Sequence, residues 1–268
     1  ERHKARRTYE SIVEAMQDPA LLEWEQGNTF KLRVFPLPAH ADKRGDKILG
    51  LLDTSMTQAK DQHYIQEMVT KVPGKEMIKQ VMDVHIKGTK YRRVEFLEPG
   101  DIKGMRILIL SQNNMYTYLP AYRKVRRVAN HVKDQGFMGT TFSQNDVSTV
   151  TYSGSYSGKF IKESDKIWTI EAGRKEGMKT PYARIEIDVV KTHHQPSELR
   201  YFNDKDVKIK TEVRSGYECK GKVCAPKTLK LTDHRRNNVW TAITWTTWEV
   251  DTGVSDSFFS LRKLQRGR

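Results

Sequence analysis

The sequence predicts an α+β protein built on one large antiparallel sheet that curls around an interior, with a few helices. Three observations predict it. From Gln62 onward the apolar residues recur with a period of two, the pattern of strands with one apolar and one wet face. Each alternating stretch ends in turn chemistry, such as Pro73-Gly74, Gly88, Pro99-Gly100, Asn203-Asp204 and Asn237-Asn238. Helical periodicity is concentrated in roughly the first sixty residues, with no long apolar run after them.

The elements follow in chain order. Thr8 caps a helix whose face carries Tyr9, Ile12, Val13 and Met16. Asp18-Pro19 restarts a second helix with Leu21, Leu22 and Trp24, and Phe30–Phe35 alternates as a short strand ended by Pro36 and Pro38. Together with the polar linker Ala39–Gly45 these form an N-terminal helical extension, residues 1–45, ahead of the main domain, residues 46–268. Asp46–Lys60 is a helix with Leu49, Leu52 and Met56 on one face, suited to covering a sheet. Strand patterns then follow at Met82/Val84/Ile86, Val94/Phe96, Met105/Ile107/Ile109 and Tyr116/Tyr118. They continue at Ala183/Ile185/Ile187/Val189, at Val207/Ile209/Thr211/Val213 set against Lys208, Lys210, Glu212 and Arg214, and through the tryptophan-rich Val239–Val250 run. About ten such strands do not lie flat. Strand twist curls them until they close or half-close around an interior. The helix at 46–60 and the non-periodic stretch at 131–146, with Phe137, Met138 and Phe142, are the expected filling.

Composition narrows the function classes. The chain has 268 residues, with 47 Lys+Arg against 33 Asp+Glu, a formal net charge of +14. No apolar run approaches the ~20 residues of a membrane-spanning helix, and five Trp, eleven Tyr and nine Phe are too many for a solvated coil. The charge predicts an anionic partner. The chain begins at Glu1 and shows no apolar signal segment, which fits removal of a signal peptide or a trimmed end. Cys219 and Cys224 flank a four-residue turn containing Gly221. They fit a disulfide across a hairpin, and hence an oxidising compartment. Two free thiols, or a zinc site completed by a residue such as His234, are the alternatives.

No nucleophile elbow, phosphate loop, His-Glu-x-x-His or dinucleotide fingerprint is present, so no catalytic residue, metal or cofactor is expected. His193-His194 reads as a loop, His85 as an exposed strand residue and Ser153–Ser157 as a turn. The basic cluster Arg123, Lys124, Arg126 and Arg127 carries four charges within five residues. It fits a solvated sheet edge, a dock for an anionic membrane or protein surface, or a single-strand nucleic-acid platform. Without a nucleic-acid-binding motif beside it, nucleic acid is not the expected partner.

A series of motifs carries a resemblance. These are Ile48–Asp53, then Phe96-Leu97-Glu98-Pro99-Gly100-Asp101-Ile102-Lys103-Gly104, Tyr116-Thr117-Tyr118-Leu119-Pro120, Lys124-Val125-Arg126-Arg127-Val128, Phe137-Met138-Gly139-Thr140-Thr141-Phe142 with Asp146, and Phe258–Leu264. Over residues 46–264 the chain resembles the outer-membrane lipoprotein-sorting family, the LolA-like proteins associated with exporters of the RND or MMPL type. It departs at Thr141, where the family carries an acid, and at Met115, where it carries a tryptophan. The resemblance implies a strongly curved, incompletely closed antiparallel half-barrel of LolA/LolB type, with helices covering the concave face. It implies a non-catalytic periplasmic carrier that holds lipid or lipoprotein acyl chains in an apolar cavity. The expected lining is Val84, Ile86, Val94, Phe96, Met105, Ile107, Tyr116, Tyr118, Phe137, Met138 and Phe142. Partners would be an inner-membrane exporter or an outer-membrane acceptor, met through Arg123, Lys124, Arg126 and Arg127, with an anionic membrane surface as a further candidate. The other reading on this fold is an interaction module of an envelope transporter complex without lipid cargo.

Overall fold

The computed structural model describes residues 41–111, 114–128 and 139–267, all within one compact unit, Ala39–Arg268. The predicted N-terminal extension lies outside the described residues as far as position 40, as do Phe137 and Met138.

Thirteen strands form a single sheet in which every neighbouring pair is antiparallel. The first six are β1 (Asp61–Lys71), β2 (Ile78–Lys87), β3 (Tyr91–Glu98), β4 (Arg106–Ser111), β5 (Asn114–Leu119) and β6 (Lys124–Arg127). The other seven are β7 (Tyr156–Glu163), β8 (Ile167–Arg174), β9 (Arg184–Val190), β10 (Pro196–Phe202), β11 (Lys208–Lys220), β12 (Val223–Asp233) and β13 (Val239–Val250). Their spatial order is β6-β5-β4-β3-β2-β1-β13-β12-β11-β10-β9-β8-β7. The chain meanders outward to one edge, passes to the opposite edge, and meanders back until β13 pairs with β1 in the middle. The sheet is curved and stays open, with β6 and β7 as its edges. The expected half-barrel class is therefore found, with more strands than the ten that stood out. β6 is four residues long, and β7 mixes Gly158 with lysines, so neither shows strong alternation.

Helix α1 (Lys43–Met56) starts three residues before the predicted Asp46 and ends four before Lys60. Asp42, not Asp46, is its N-cap and accepts from the Gly45 backbone N–H at 2.7 Å. At the other end Thr57 closes it, because the chain must turn before β1 begins. Leu49 and Leu52 are fully buried against the sheet, a contribution of roughly 1.5–3 kcal/mol each.

Three aspartates of this helix and its cap bind backbone N–H groups beyond it. Asp42 Oδ2 accepts from Phe160 at 2.8 Å and Asp46 Oδ1 from Gly158 at 2.7 Å. Asp53 accepts from Tyr152 and Ser153 at 2.7 and 2.8 Å. Phe160 and Gly158 belong to the edge strand β7, so α1 satisfies the donors that an edge leaves open. The close approach uses two glycines: a Cβ on Gly45 would stand 2.5 Å from the Gly158 carbonyl carbon.

The remaining helices among the described residues are short. α2 (Gln144–Ser148) carries a capping box between Ser143 and Asp146. A turn at Asp256–Phe259 and α3 (Leu261–Arg266) cover the outer face of β4 and β5, where Leu108, Tyr118, Phe259 and Leu264 form a second, smaller core. Arg106 anchors α3 through the Leu264 carbonyl at 2.5 Å. The main core lies between the concave face and α1.

Cys219 and Cys224 face each other across the β11–β12 hairpin and are disulfide-bonded, as the spacing suggested.

Candidate functional site

The concave face holds a cavity of about 460 Å³, within the range of sites that take one small organic ligand. Its walls come from both halves of the sheet. β2 contributes Met82, Val84 and Ile86, which stand opposite Gln66, Tyr64 and Gln62 of β1 in register. β3 contributes Val94 and Arg92, opposite Val84 and Ile86. Leu229, Ile243 and Trp245 close the wall from β12 and β13, with the Trp245 ring 4.7 Å from that of Tyr64. Met56 enters from the end of α1, Phe142, Val147 and Tyr152 from the crossover between the sheet edges, and Tyr156 from the start of β7.

Ile209 is buried as its sequence pattern predicts, but from Lys210 onward, past a register shift, strand β11 lies the other way round. Val207 and Val213, expected on the buried face, are exposed, whereas Lys210 and Glu212 are buried and Glu212 and Arg214 line the cavity. Register explains it. Lys210 and Glu212 stand opposite Tyr201 and Leu199, both buried in the core, and cross-strand partners share a face. Pairing makes the burial tolerable. Arg214 Nε meets Glu212 Oε1 at 2.6 Å, and the Tyr201 hydroxyl donates to Glu212 Oε2 at 2.9 Å. Lys210 Nζ meets Asp146 Oδ2 at 2.7 Å and donates to the Thr141 carbonyl at 2.9 Å, while the Tyr182 hydroxyl donates to Asp146 Oδ1 at 2.6 Å. Thr141, at the position where an acid was expected, donates to the Leu231 carbonyl at 3.0 Å, a neutral bond in a buried setting.

Burial pushes the phenols of Tyr64, Tyr152, Tyr182 and Tyr201 upward, so all four stay neutral donors at physiological pH. Burial disfavours the charge on Arg214, but Glu212 beside it more than offsets this and its pKa is raised. Arg92 is different. Desolvation lowers its pKa to about 10.

The predicted lining residues divide into groups. Val84, Ile86, Val94 and Phe142 do line the cavity. Phe96, Met105 and Ile107 are buried in the same core without reaching its wall. Tyr116 and Tyr118 point to the opposite face, where they pack with Phe259 and Leu264. β5 is apolar on both faces, and the C-terminal segment covers the tyrosine side while Met115 takes the inward place. Arg123, Lys124, Arg126 and Arg127 are exposed on and beside the edge strand β6. The residues that sequence reasoning missed are Tyr64, Arg92, Tyr201, Arg214 and Trp245 above all. For Arg92 a signal existed, because it is in phase with the inward-facing Val94 and Phe96.

The outer face carries a separate polar cluster. Asp83 accepts from His63 Nε2 at 3.1 Å and His85 Nε2 at 3.0 Å, while His63 Nδ1 meets Glu249 at 2.9 Å. The two imidazoles stack with centroids 4.2 Å apart. His85 is thus engaged rather than simply exposed. Among the described residues, His63, Asp83 and His85 are the set with donor atoms close enough to hold a metal ion. Both nitrogens of His63 and Nε2 of His85 already meet carboxylates.

A protein-family model described as "Uncharacterized protein" matches residues 88–266, about two thirds of the chain. Comparison with curated proteins returns no match. Among solved structures, a domain described as an outer membrane lipoprotein-sorting protein from Vibrio parahaemolyticus is similar, with TM-score 0.75 and 20% identity over 84% of this chain and 99% of that one. A DUF1329 family protein from Desulfovibrio piger gives TM-score 0.75 and 22% identity over 83% and 98% of the two chains. A LolA superfamily protein from Nitrosomonas europaea gives 0.66 and 14% over 84% and 99%. The chain therefore belongs to the family whose model spans residues 88–266, and its fold is that of the lipoprotein-sorting and LolA superfamily structures.

Proposed function

We propose that this protein is a non-catalytic periplasmic carrier that holds lipid or lipoprotein acyl chains in the concave cavity and passes them on to, or takes them from, a membrane partner. The observation that carries the reading is the cavity itself, walled by methionine, valine, isoleucine and aromatic side chains from both halves of an open sheet. A chain entering it gains roughly 0.8 kcal/mol per methylene removed from water, which is enough to bind without any covalent step. Methionines at 56, 68 and 82 give the wall an adaptable surface. The acids that line it, Asp146 and Glu212, are engaged by Lys210 and Arg214, which suits a container better than proton transfer. The disulfide fits an oxidising compartment.

The exposed residues Arg123, Lys124, Arg126 and Arg127 are the proposed contact with an exporter of RND or MMPL type, an outer-membrane acceptor or an anionic bilayer. Native mass spectrometry of the purified protein tests cargo, with co-purified lipid expected. A Val84→Trp variant that keeps the wild-type melting temperature should lose it. Protein that carries no lipid and takes none up from vesicles would leave an interaction module without cargo as the better reading.

A further inference from the structure

Resting on that reading, the cavity also says something about the chemistry of its ligand. Four charged residues line it: Arg92, Asp146, Glu212 and Arg214. Three are neutralised in pairs, Glu212 with Arg214 at 2.6 Å and Asp146 with Lys210 at 2.7 Å. Arg92 has no ion pair and no side-chain hydrogen bond among the described residues. It is only 9% exposed. Its register partners are Ile86 on β2 and Ile109 on β4, so a guanidinium stands in an apolar wall. Tyr64, the one titratable group among the described residues with an electrostatic effect on it, stays protonated and spends its hydroxyl proton on Gln62 at 2.5 Å.

A buried charge without a counter-ion is costly to the empty protein. Five N–H donors in a planar fork, facing a cavity, match a carboxylate or phosphate. We infer that the ligand is an anionic amphiphile whose carboxylate or phosphate head pairs with Arg92 while its chain fills the apolar remainder of the cavity. The burial of Arg92 does not discharge it, since even the lowered pKa of about 10 leaves it cationic at neutral pH.

The test is displacement of an uncharged fluorescent probe, N-phenyl-1-naphthylamine, from wild type, Arg92→Met and Arg92→Lys. Four competitors of equal chain length are used: palmitate, palmitoyl-lysophosphatidylglycerol, palmitoyl-lysophosphatidylcholine and monopalmitoylglycerol. Inorganic phosphate serves as a chain-free fifth. Wild type should prefer the two anionic chains over monopalmitoylglycerol by at least about tenfold, the scale of one charge-assisted hydrogen bond. Arg92→Met should reduce that preference to within about twofold, Arg92→Lys should keep part of it, and phosphate alone should displace nothing at millimolar concentration. The melting temperature of ligand-free Arg92→Met should rise, because an unpaired buried charge has gone.

Equal binding of anionic and uncharged chains by wild type would overturn the inference while leaving the carrier reading intact. So would an undiminished preference in Arg92→Met, or a melting temperature that falls in that variant. Displacement by phosphate without a chain would replace the amphiphile with a free anion. Failure of every chain to displace the probe would overturn the inference and the carrier reading together.

Discussion

An alanine at Gly45 should unfasten α1 from the sheet edge. Its methyl would sit 2.5 Å from the Gly158 carbonyl carbon and the Lys159 nitrogen, and 2.6 Å from the Gly158 oxygen. Those are backbone atoms and cannot rotate away. Carbon contacts settle at about 3.5–4.0 Å, so helix and strand must part by roughly 1 Å. The separation stretches the bonds from Gly158 N to Asp46 at 2.7 Å, from Asp42 N to Gly158 O at 3.0 Å and from Phe160 N to Asp42 at 2.8 Å. Overpacking typically costs about 1–3 kcal/mol, and a weakened hydrogen bond to a charged group about 1.5–3 kcal/mol more. Alanine's better helix propensity returns at most about 1 kcal/mol. The expected net loss is about 1.5–5 kcal/mol, or a melting temperature lower by about 3–20 °C for a unit of this size. Gly50→Ala is the control, since a Cβ there meets nothing within 4 Å. Calorimetry on the two variants decides it. A Gly45→Ala protein melting within about 1 °C of wild type would refute the argument that this crossing requires glycine.

Three further outcomes are expected. Lys210→Met leaves Asp146 facing the core without its cation and should cost about 3 kcal/mol in urea unfolding, with Lys210→Met/Asp146→Asn recovering part of it. Burial works to raise the carboxyls of Asp61, Asp188 and Glu186, but hydrogen bonds outweigh it, from Thr252 and Gly253 to Asp61, from Arg200 to Asp188, and from Arg184 and Arg200 to Glu186, so all three are lowered. Their stabilisation is complete above the ordinary carboxylate range near 4 and is lost as pH falls through the lower folded values; melting temperature followed downward from pH 7 should hold to about pH 5 and then drop, less steeply in Asp61→Asn. Replacing both Cys219 and Cys224 by serine should cost at most about 2 kcal/mol, because the closed loop is short; an unchanged urea midpoint would count against the disulfide's stabilising role.

The fold was legible wherever one face of a strand is apolar and the other polar. Met82, Val84 and Ile86 alternate with Asp83 and His85, and the structure keeps that division. Legibility failed where both faces are covered. In β5 the pair Met115 and Leu119 and the pair Tyr116 and Tyr118 each look like an inner face, and only the docking of Phe259 and Leu264 decides between them. It failed in the opposite sense in β11, whose buried charges find partners on Asp146, Tyr201 and one another across distances that no local pattern encodes. The cavity was legible in β2 and β3 and missed in β12 and β13, where Leu229, Ile243 and Trp245 sit among threonines. The helix start shifted for a similar reason. Asp42 and Asp46 are both competent caps, and which one caps α1 depends on a strand more than a hundred residues later.

The order of strands has a kinetic consequence. Eleven of the twelve pairings join strands that follow one another, apart from β1 with β13, where Gln62 meets Val250. Each half of the sheet can therefore assemble from local hairpins, but joining the halves demands closure of a loop spanning nearly the whole unit, and such closure is slow. The last strand of the chain is thus a keystone. A ribosome that stalled before Val239, or a protease that trimmed it away, would release two half-sheets with β1 and β12 left as raw edges, the kind of surface that recruits other chains.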